Sequence, residues 1–358
     1  MRILAALLRE YLVSDDFEEF IVVVYSLFEE VFFIGVIVMP YKTSLPKPVC
    51  TGKARSQYRV SNWSSYNESL KNRGSLTLWI NDDIKDKWYA PENSTRTRGG
   101  QLRYSNFAIM LFLSLRMLFK LPLRQTAGFI RSIFSLMNID LEVPDYTRVS
   151  RRGDVPKITC KLEKMEEPGH IIVDSSGIKV VGESEWLENK HGKQCKRKKW
   201  RKIHIGIDKN GMAVAQVMTD HLTDDRDCLS DLIKQANPTM ITELIADPGY
   251  DSQETYDKLE ALNIKTIIPP MRETPSKESN TTRQQTINYI NNRGIHAWQN
   301  KHKYGRRAFV ENFFFRFKEI IGRKLRAKKW NNQDAETLLG CHILNQFTKI
   351  GMPISVKL

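Results

Sequence analysis

The feature that most constrains this chain is a change of pattern at Gly153. Before it, apolar residues recur at helical spacing. After it, short runs alternate with the period of two that a half-buried strand requires. His170-Ile-Ile-Val-Asp174 and Gly177-Ile-Lys-Val-Val181 read as strand, and Lys202-Ile-His-Ile-Gly-Ile-Asp208 as a second. Asn210-Gly211 is a hairpin turn, and Met212–Thr219 returns as the third strand. A helix over Asp224–Gln235 follows, then an apolar fourth strand over Ile241–Ala246. Asp251-x-x-Glu254 reads as a capping box for a helix ending at Leu262, and Ile264–Ile268 as a fifth strand. Hairpin strands followed by strands that alternate with helices call for an α/β fold, a mixed sheet flanked by helices. Residues 271–303 are polar with little periodicity and read as an insertion, before two terminal helices around 305–321 and 332–350.

Residues 61–152 read as an all-helical region. Phe107–Phe119 is apolar nearly all round, a core helix that at 13 residues, with Arg116 inside it, is too short to span a bilayer. Leu121-Pro122 breaks it, and Leu123–Met137 is amphipathic. Pro144-Asp145 then offers a proline and an N-cap to a short basic segment carrying Arg148, Arg151 and Arg152. That order is the pattern of a helix-turn-helix DNA reader, with a plain helical bundle ending in a solvated basic turn as the alternative. Residues 39–60 hold Lys42, Lys47, Lys53, Arg55 and Arg59 and no acid, and read as a basic, mobile arm; residues 351–358 read as a tail. Residues 1–38 carry two arginines against seven acids. Composition shifts so abruptly at Met39 that the sequence favours a start there, with 1–38 as a non-native upstream extension; an ordinary acidic helix is the alternative. Glu29-Glu30 interrupts the apolar run Phe20–Val38, which argues against a membrane span, and the acidic cluster ahead of that run fits no signal peptide.

The formal charge of +14 favours a polyanionic partner, above all nucleic acid. Two clusters carry much of it. Lys190–Lys202 includes Lys196, Arg197, Lys198, Lys199, Arg201 and Lys202, and a second runs through Arg323, Lys324, Arg326, Lys328 and Lys329. Both read as phosphate contacts, or as solvated loops. Five scattered cysteines without a Cys-x-x-Cys argue for a reducing, cytoplasmic setting. His191 and Cys195 lack the second pair a zinc site needs.

Three acids stand out. Asp174 and Asp247 close apolar strands, where open α/β sheets build their sites, although a strand-end Asp is often only a turn former. Asp208 also ends a strand, but it precedes the hairpin turn and reads as structural. Glu311 lies on the helix near 305–321. At about 100° per residue, Arg307, Tyr304 and Lys318 fall at about −40°, +20° and −20° from it. Phe309, Phe313, Phe317 and Ile320 fall on the opposite side, so this helix has one face to bury and an ionisable stripe to present. Three carboxylates from two strands and a helix suit a hard divalent cation, with phosphate clamped by the neighbouring cations. Two such ions about 4 Å apart can drive an in-line phosphoryl displacement. Trp298, in the insertion, can stack on an unpaired base or anchor a local hydrophobic contact.

The run Tyr304-x2-Arg307-x3-Glu311-x6-Lys318 resembles the signature of bacterial insertion-sequence transposases of the DDE class. Asn62–Asn67, Pro144–Arg152, Val173–Gly177, Trp200–His204, Ala246–Asp251 and Gly351–Val356 resemble the insertion-sequence-five-like family. The resemblance spans about Asn62 to Val356; residues 1–38 have no counterpart. It implies a ribonuclease-H-like catalytic domain over 153–350 behind a helical DNA-binding domain over 61–152. Asp174, Asp247 and Glu311 match its catalytic, metal-holding triad. Two Mg²⁺ ions, with Mn²⁺ able to substitute, are the implied cofactors. The implied activity is binding of terminal inverted repeats, hydrolysis at the element's ends and joining of the 3′-OH ends to target DNA. Double-stranded DNA is the partner, a dimer or larger assembly the working form, and the nucleoid the place. The rivals are another ribonuclease-H-like endonuclease and an inactive remnant that only binds DNA.

Overall fold

The computed structural model describes residues 58–80, 83–91, 102–180, 200–271 and 281–357. Expectations for residues 1–57 and for Lys190–Lys199, with Lys196, Arg197, Lys198, Lys199, His191 and Cys195, lie outside the described residues. Tyr58–Leu358 form one compact unit.

This unit opens with β1 (Tyr58–Val60), then α1 (Trp63–Arg73), α2 (Ile84–Trp88), α3 (Asn106–Leu118), α4 (Leu123–Leu136), α5 (Tyr146–Arg151) and α6 (Val155–Thr159). Ser105 caps α3 by accepting the Ala108 N–H at 3.1 Å, and α3 is buried along most of its length, as an all-round apolar helix must be. Proline at 122 ends it, and α4 leaves at 107°. No single helix among the described residues is long and apolar enough to cross a membrane. Asp145 caps α5, accepting the Thr147 N–H at 2.9 Å. Nine residues separate α4 from α5, which is itself only six residues long. That connection is too long for the tight turn of a helix-turn-helix, so the expected motif is not formed.

The main sheet contains β2 (Gly169–Val180), β3 (Trp200–Ile207), β4 (Ala213–Asp220), β5 (Ile241–Ile245), β6 (Lys265–Ile267) and β7 (Lys324–Leu325). Its order is β4-β3-β2-β5-β6, with β2, β3 and β4 an antiparallel meander and β5 and β6 parallel to β2. This is the mixed, helix-flanked sheet of the ribonuclease-H-like expectation. The first two predicted runs merge into the single 12-residue β2. β7 was not foreseen; it pairs with Lys179 and Val180. Along that edge of β2, β5 ends beside Ile172, so a gap opens between β5 and β7.

Between β4 and β7 come α7 (Leu229–Ala236), α8 (Gln253–Ala261), α9 (Thr282–Arg293), α10 (Ile295–Lys301) and α11 (Ala308–Arg316). The cap of α8 is Ser252, which accepts the Thr255 N–H. Asp251, expected to open a capping box, instead receives both arms of Arg283 at 2.7 and 2.8 Å. The region read as a loop-like insertion thus contains two helices, α9 and α10. α12 (Trp330–Ile350) and β8 (Ser355–Lys357) close the chain, with β8 paired antiparallel to β1. So the end of the basic arm and the C-terminal tail are ordered against each other.

The sheet separates two cores. On one face, Ile172, Ile178, Ile203, Ile205 and Ile207 meet Phe112, Leu115, Ile130 and Val149 from the helices before Gly153, together with α11 and α12. The change of pattern at Gly153 therefore marks a change of secondary structure inside one core. On the other face, Ile171, Val173, Leu244 and Ala246 pack on α7 and α8.

The predicted helix near 305–321 is three pieces: a 3₁₀ turn at Tyr304–Arg307, α11, and a π-helical turn at Phe317–Ile321 closed by the Gly322 N–H on the Phe317 carbonyl at 3.1 Å. Its buried stripe is Val310, Phe313, Phe314 and Phe317, each ring worth roughly 1.5–3 kcal/mol. Phe309, expected inside, is 58% exposed. A constant 100° step does not hold through 3₁₀ and π turns, so the apolar face is rotated from the expected one. Gly340 on α12 lets this segment approach closely: a Cβ there would stand 2.7 Å from the Phe317 ring and 3.1 Å from Ile321.

Candidate active site

Parallel pairing of β2 and β5 sets Ile172 opposite Ile245. Two residues further along each strand lie Asp174 and Asp247. They therefore stand beside each other at the C-terminal end of β5, where the gap in the sheet begins. Asp174 shares the face of Ile172 and Ile178, the face covered by α11. Its Oδ1 accepts the Ser175 N–H at 2.8 Å and its Oδ2 accepts Nη1 of Arg307 at 2.9 Å. Nη2 of Arg307 donates to Glu311 Oε1 at 2.6 Å. One guanidinium thus joins a strand acid to the helix acid. Asp247 caps the turn after β5, accepting the Gly249 N–H at 3.0 Å.

Burial pushes the Asp174 carboxyl up to about 6, against the pull of Arg307 and the Ser175 N–H; the charges of Asp247 and Glu311 push the same way. Asp247 is also raised, first by burial, with Arg307 opposing and Asp225 adding to it. The Arg307 guanidinium is raised: its own burial opposes charge, but Asp174, Tyr304, Glu311 and Asp247 outweigh it. The acids share a local excess of negative charge that one arginine only partly offsets.

The remaining stripe residues meet the same edge. Tyr304 donates its hydroxyl to the Ala246 carbonyl at 3.2 Å, and burial holds its pKa up at about 12. Lys318, in the π turn, donates to Ser176 Oγ at 2.7 Å, two residues along the same face of β2 from Asp174.

An all-oxygen donor set with excess negative charge fits a hard divalent cation. Among the described residues no three acidic, His or Cys side chains converge on one point as they stand. The reason is visible: Arg307 lies between Asp174 and Glu311 and supplies the positive charge there.

Other expected contact residues divide. Arg148 and Arg151 are exposed on α5. Arg152 turns inward to the Tyr104 carbonyl and Asn106 Oδ1, both at 2.6 Å, so it is a structural tie rather than a DNA contact. Arg201 donates to Gln333 Oε1 at 3.0 Å and lies over Trp330. Trp298 is 1% exposed and packs 5.4 Å from the Tyr304 ring; buried there, it has no free face for a base. Asp208 accepts the Asn210 and Met212 N–H groups and holds the hairpin turn.

One acid was missed. Asp225, just before α7, accepts Ser175 Oγ at 2.7 Å and Lys202 Nζ at 2.9 Å on the opposite face of β2 from Asp174. Lys202, expected on DNA, is thus taken up inside the protein. His204 Nδ1 lies 3.9 Å from Asp225, and Tyr250 buries its hydroxyl without a partner nearby. Four Asp residues crowd 220–227, and no periodicity marks which one turns inward. The only sequence signal was Ser175 itself, a hydroxyl on the buried strand that needs a partner.

Comparison with known proteins bears on the family of the chain. Residues 71–183 match one family model described as a transposase DDE domain, and residues 166–346 match a second with the same description. Among solved structures, the chain is similar to the piggyBac transposase synaptic complex with hairpin DNA (12% identity, 82% of this chain and 77% of that one, TM-score 0.34). It is also similar to a chain of the simian T-cell lymphotropic virus intasome in complex with PP2A regulatory subunit B56 gamma (13%, 50% and 62%, 0.21). The second family match spans half of the chain and all six strands of the main sheet, and on that ground the chain belongs to the DDE transposases, DNA transposases whose activity depends on divalent metal ions.

Proposed function

We propose that this transposase is of the insertion-sequence-five-like kind. It binds the terminal inverted repeats of its own element, hydrolyses the phosphodiester at each end and joins the 3′-OH ends to target DNA. The helical region 61–152 and the basic arm 39–60 hold DNA, residues 153–350 carry out the chemistry, and the working form is a dimer or larger assembly on the nucleoid. The observation that carries the reading is that Asp174 and Asp247 each lie two residues beyond the last β2–β5 pair, Ile172 with Ile245, with Glu311 joined to Asp174 through Arg307.

Asp174, Asp247 and Glu311 would hold two Mg²⁺, or Mn²⁺, ions. Bound there, such ions activate the attacking oxygen and neutralise the leaving one. The protein's own groups do the rest. The Ser175 N–H and Asp225 fix the β2 side of the site. Arg307 and Lys318 carry charge toward phosphate oxygens, and Tyr304 fixes the end of β5 through the Ala246 carbonyl.

The test uses a duplex carrying the element's terminal repeat, a target plasmid and Mg²⁺. End cleavage followed by strand-transfer products is expected, and Glu311→Gln should lose both while still binding the duplex. Cleavage without joining would favour the endonuclease reading. DNA binding without cleavage in the parent would favour the inactive remnant.

A further inference from the structure

At the far end of β2 lies a cavity of about 490 Å³, framed by α3, α5, α12 and β7. Ile178, Phe317 and Leu339 form part of an apolar wall. Six cationic side chains line it: Arg116, Arg151, Lys324, Arg326, Lys328 and Lys329. Exposed lysines alone would be ordinary solvated charge. Arg116 is different. It sits within α3 and half-buried, its Nε is shut off from solvent without a partner, and its guanidinium makes no hydrogen bond or close ion pair with any described residue. Glu336 is the one carboxylate in the lining, and its oxygens already accept the Arg326 N–H at 3.0 and 3.1 Å and the Ala327 N–H at 2.9 Å. Glu336 is one negative charge against six cations, so the lining keeps an excess of positive charge that an anion from outside the chain would offset.

Position says which anion. Ile178 lies on the same face of β2 as Asp174, four residues on, or about 13 Å away. Lys318 on Ser176 stands between them. A strand with its reacting phosphate at Asp174 would run past Lys318 to this cavity. We infer that the cavity is a subsite for one backbone phosphate of the bound DNA, up to about four nucleotides from the scissile linkage at the spacing of a stacked strand. The cations take the phosphate and the apolar wall takes the sugar. The inference rests on the proposed assignment of Asp174 to the reacting centre.

The test is a binding scan without metal. Duplexes carry a single neutral methylphosphonate at successive linkages, and the parent is compared with Lys324→Gln/Lys328→Gln, two exposed positions whose loss leaves the core intact. One linkage, up to about four from the mapped cleavage point, should weaken parent binding about tenfold and have no further effect in the variant. Arg116→Met should reproduce the same selective insensitivity. Losses that simply add at every linkage would overturn the subsite. Because coupling is read from binding alone, a parent that binds but does not cleave counts against the proposed function, as the inactive remnant would, and leaves the phosphate coupling readable.

Discussion

The two faces of β2 handle a buried carboxylate differently. On one face Asp174 meets a single arginine shared with Glu311, beside a second acid, Asp247, and a gap in the sheet. On the other face, one residue along, Ser175 delivers its hydroxyl to Asp225, which is also held by Lys202 and closed in by α7. The first acid is under-compensated and open to exchange of partners. The second is tied to a hydroxyl and an ammonium and has no reason to move. A strand that alternates its side chains can thus present an under-compensated carboxylate on one face and anchor it from the other.

The sharpest break of this contrast is Asp174→Asn against Asp225→Asn. Asp174→Asn should lower Mg²⁺-dependent cleavage on the order of a thousandfold with duplex affinity unchanged, because the acid itself is lost. Asp225→Asn should lower it about ten- to a hundredfold, as loss of a supporting partner does. Gel-resolved cleavage rates and fluorescence anisotropy measure both, and equal losses would erase the distinction between the faces.

A pH series sharpens it next. With its carboxyl raised to about 6 in the metal-free protein, Asp174 takes up a proton that competes with Mg²⁺, and cleavage at limiting Mg²⁺ should fall as pH drops through 6. The sign for stability is opposite. A raised carboxyl contributes most below its unfolded pKa near 3.8, and that contribution is lost as pH rises through about 6. Metal-free Asp174→Asn should therefore melt above the parent at pH 7.5, by a difference of up to about 3 kcal/mol, and not at pH 4. No pH dependence of the difference would contradict the environment assigned to Asp174. The smallest effect is expected at Trp298→Phe, off both faces: a slightly lower melting temperature and unchanged affinity for single-stranded DNA. A clear loss of that affinity would restore the stacking role.

What the sequence disclosed follows from which signals are local. The apolar runs His170–Asp174 and Ile241–Ala246 made the strands readable, and their ends pointed to Asp174 and Asp247. Spacing alone put Tyr304, Arg307, Glu311 and Lys318 on one stripe, and that grouping is observed although the segment is not one regular helix. The same wheel misplaced Phe309, because pitch changes at both ends of α11. Asp225 was hidden because its partner lies fifty residues away in β2 and its neighbours are acids too. β7 is two residues long and leaves no periodic trace. Arg152 and Lys202 looked like surface charge because composition does not say which way a long side chain turns.

The missing side chain at Gly340 sets how deep the π turn settles onto α12, and Lys318 rides on that turn. A single methyl at position 340 would wedge Phe317 outward and lift the ammonium off Ser176 without touching any acid. Register at the edge of the candidate site is therefore governed by a spacer on the hidden side of the molecule, and variation there would shift that edge while every recognisable motif stayed intact.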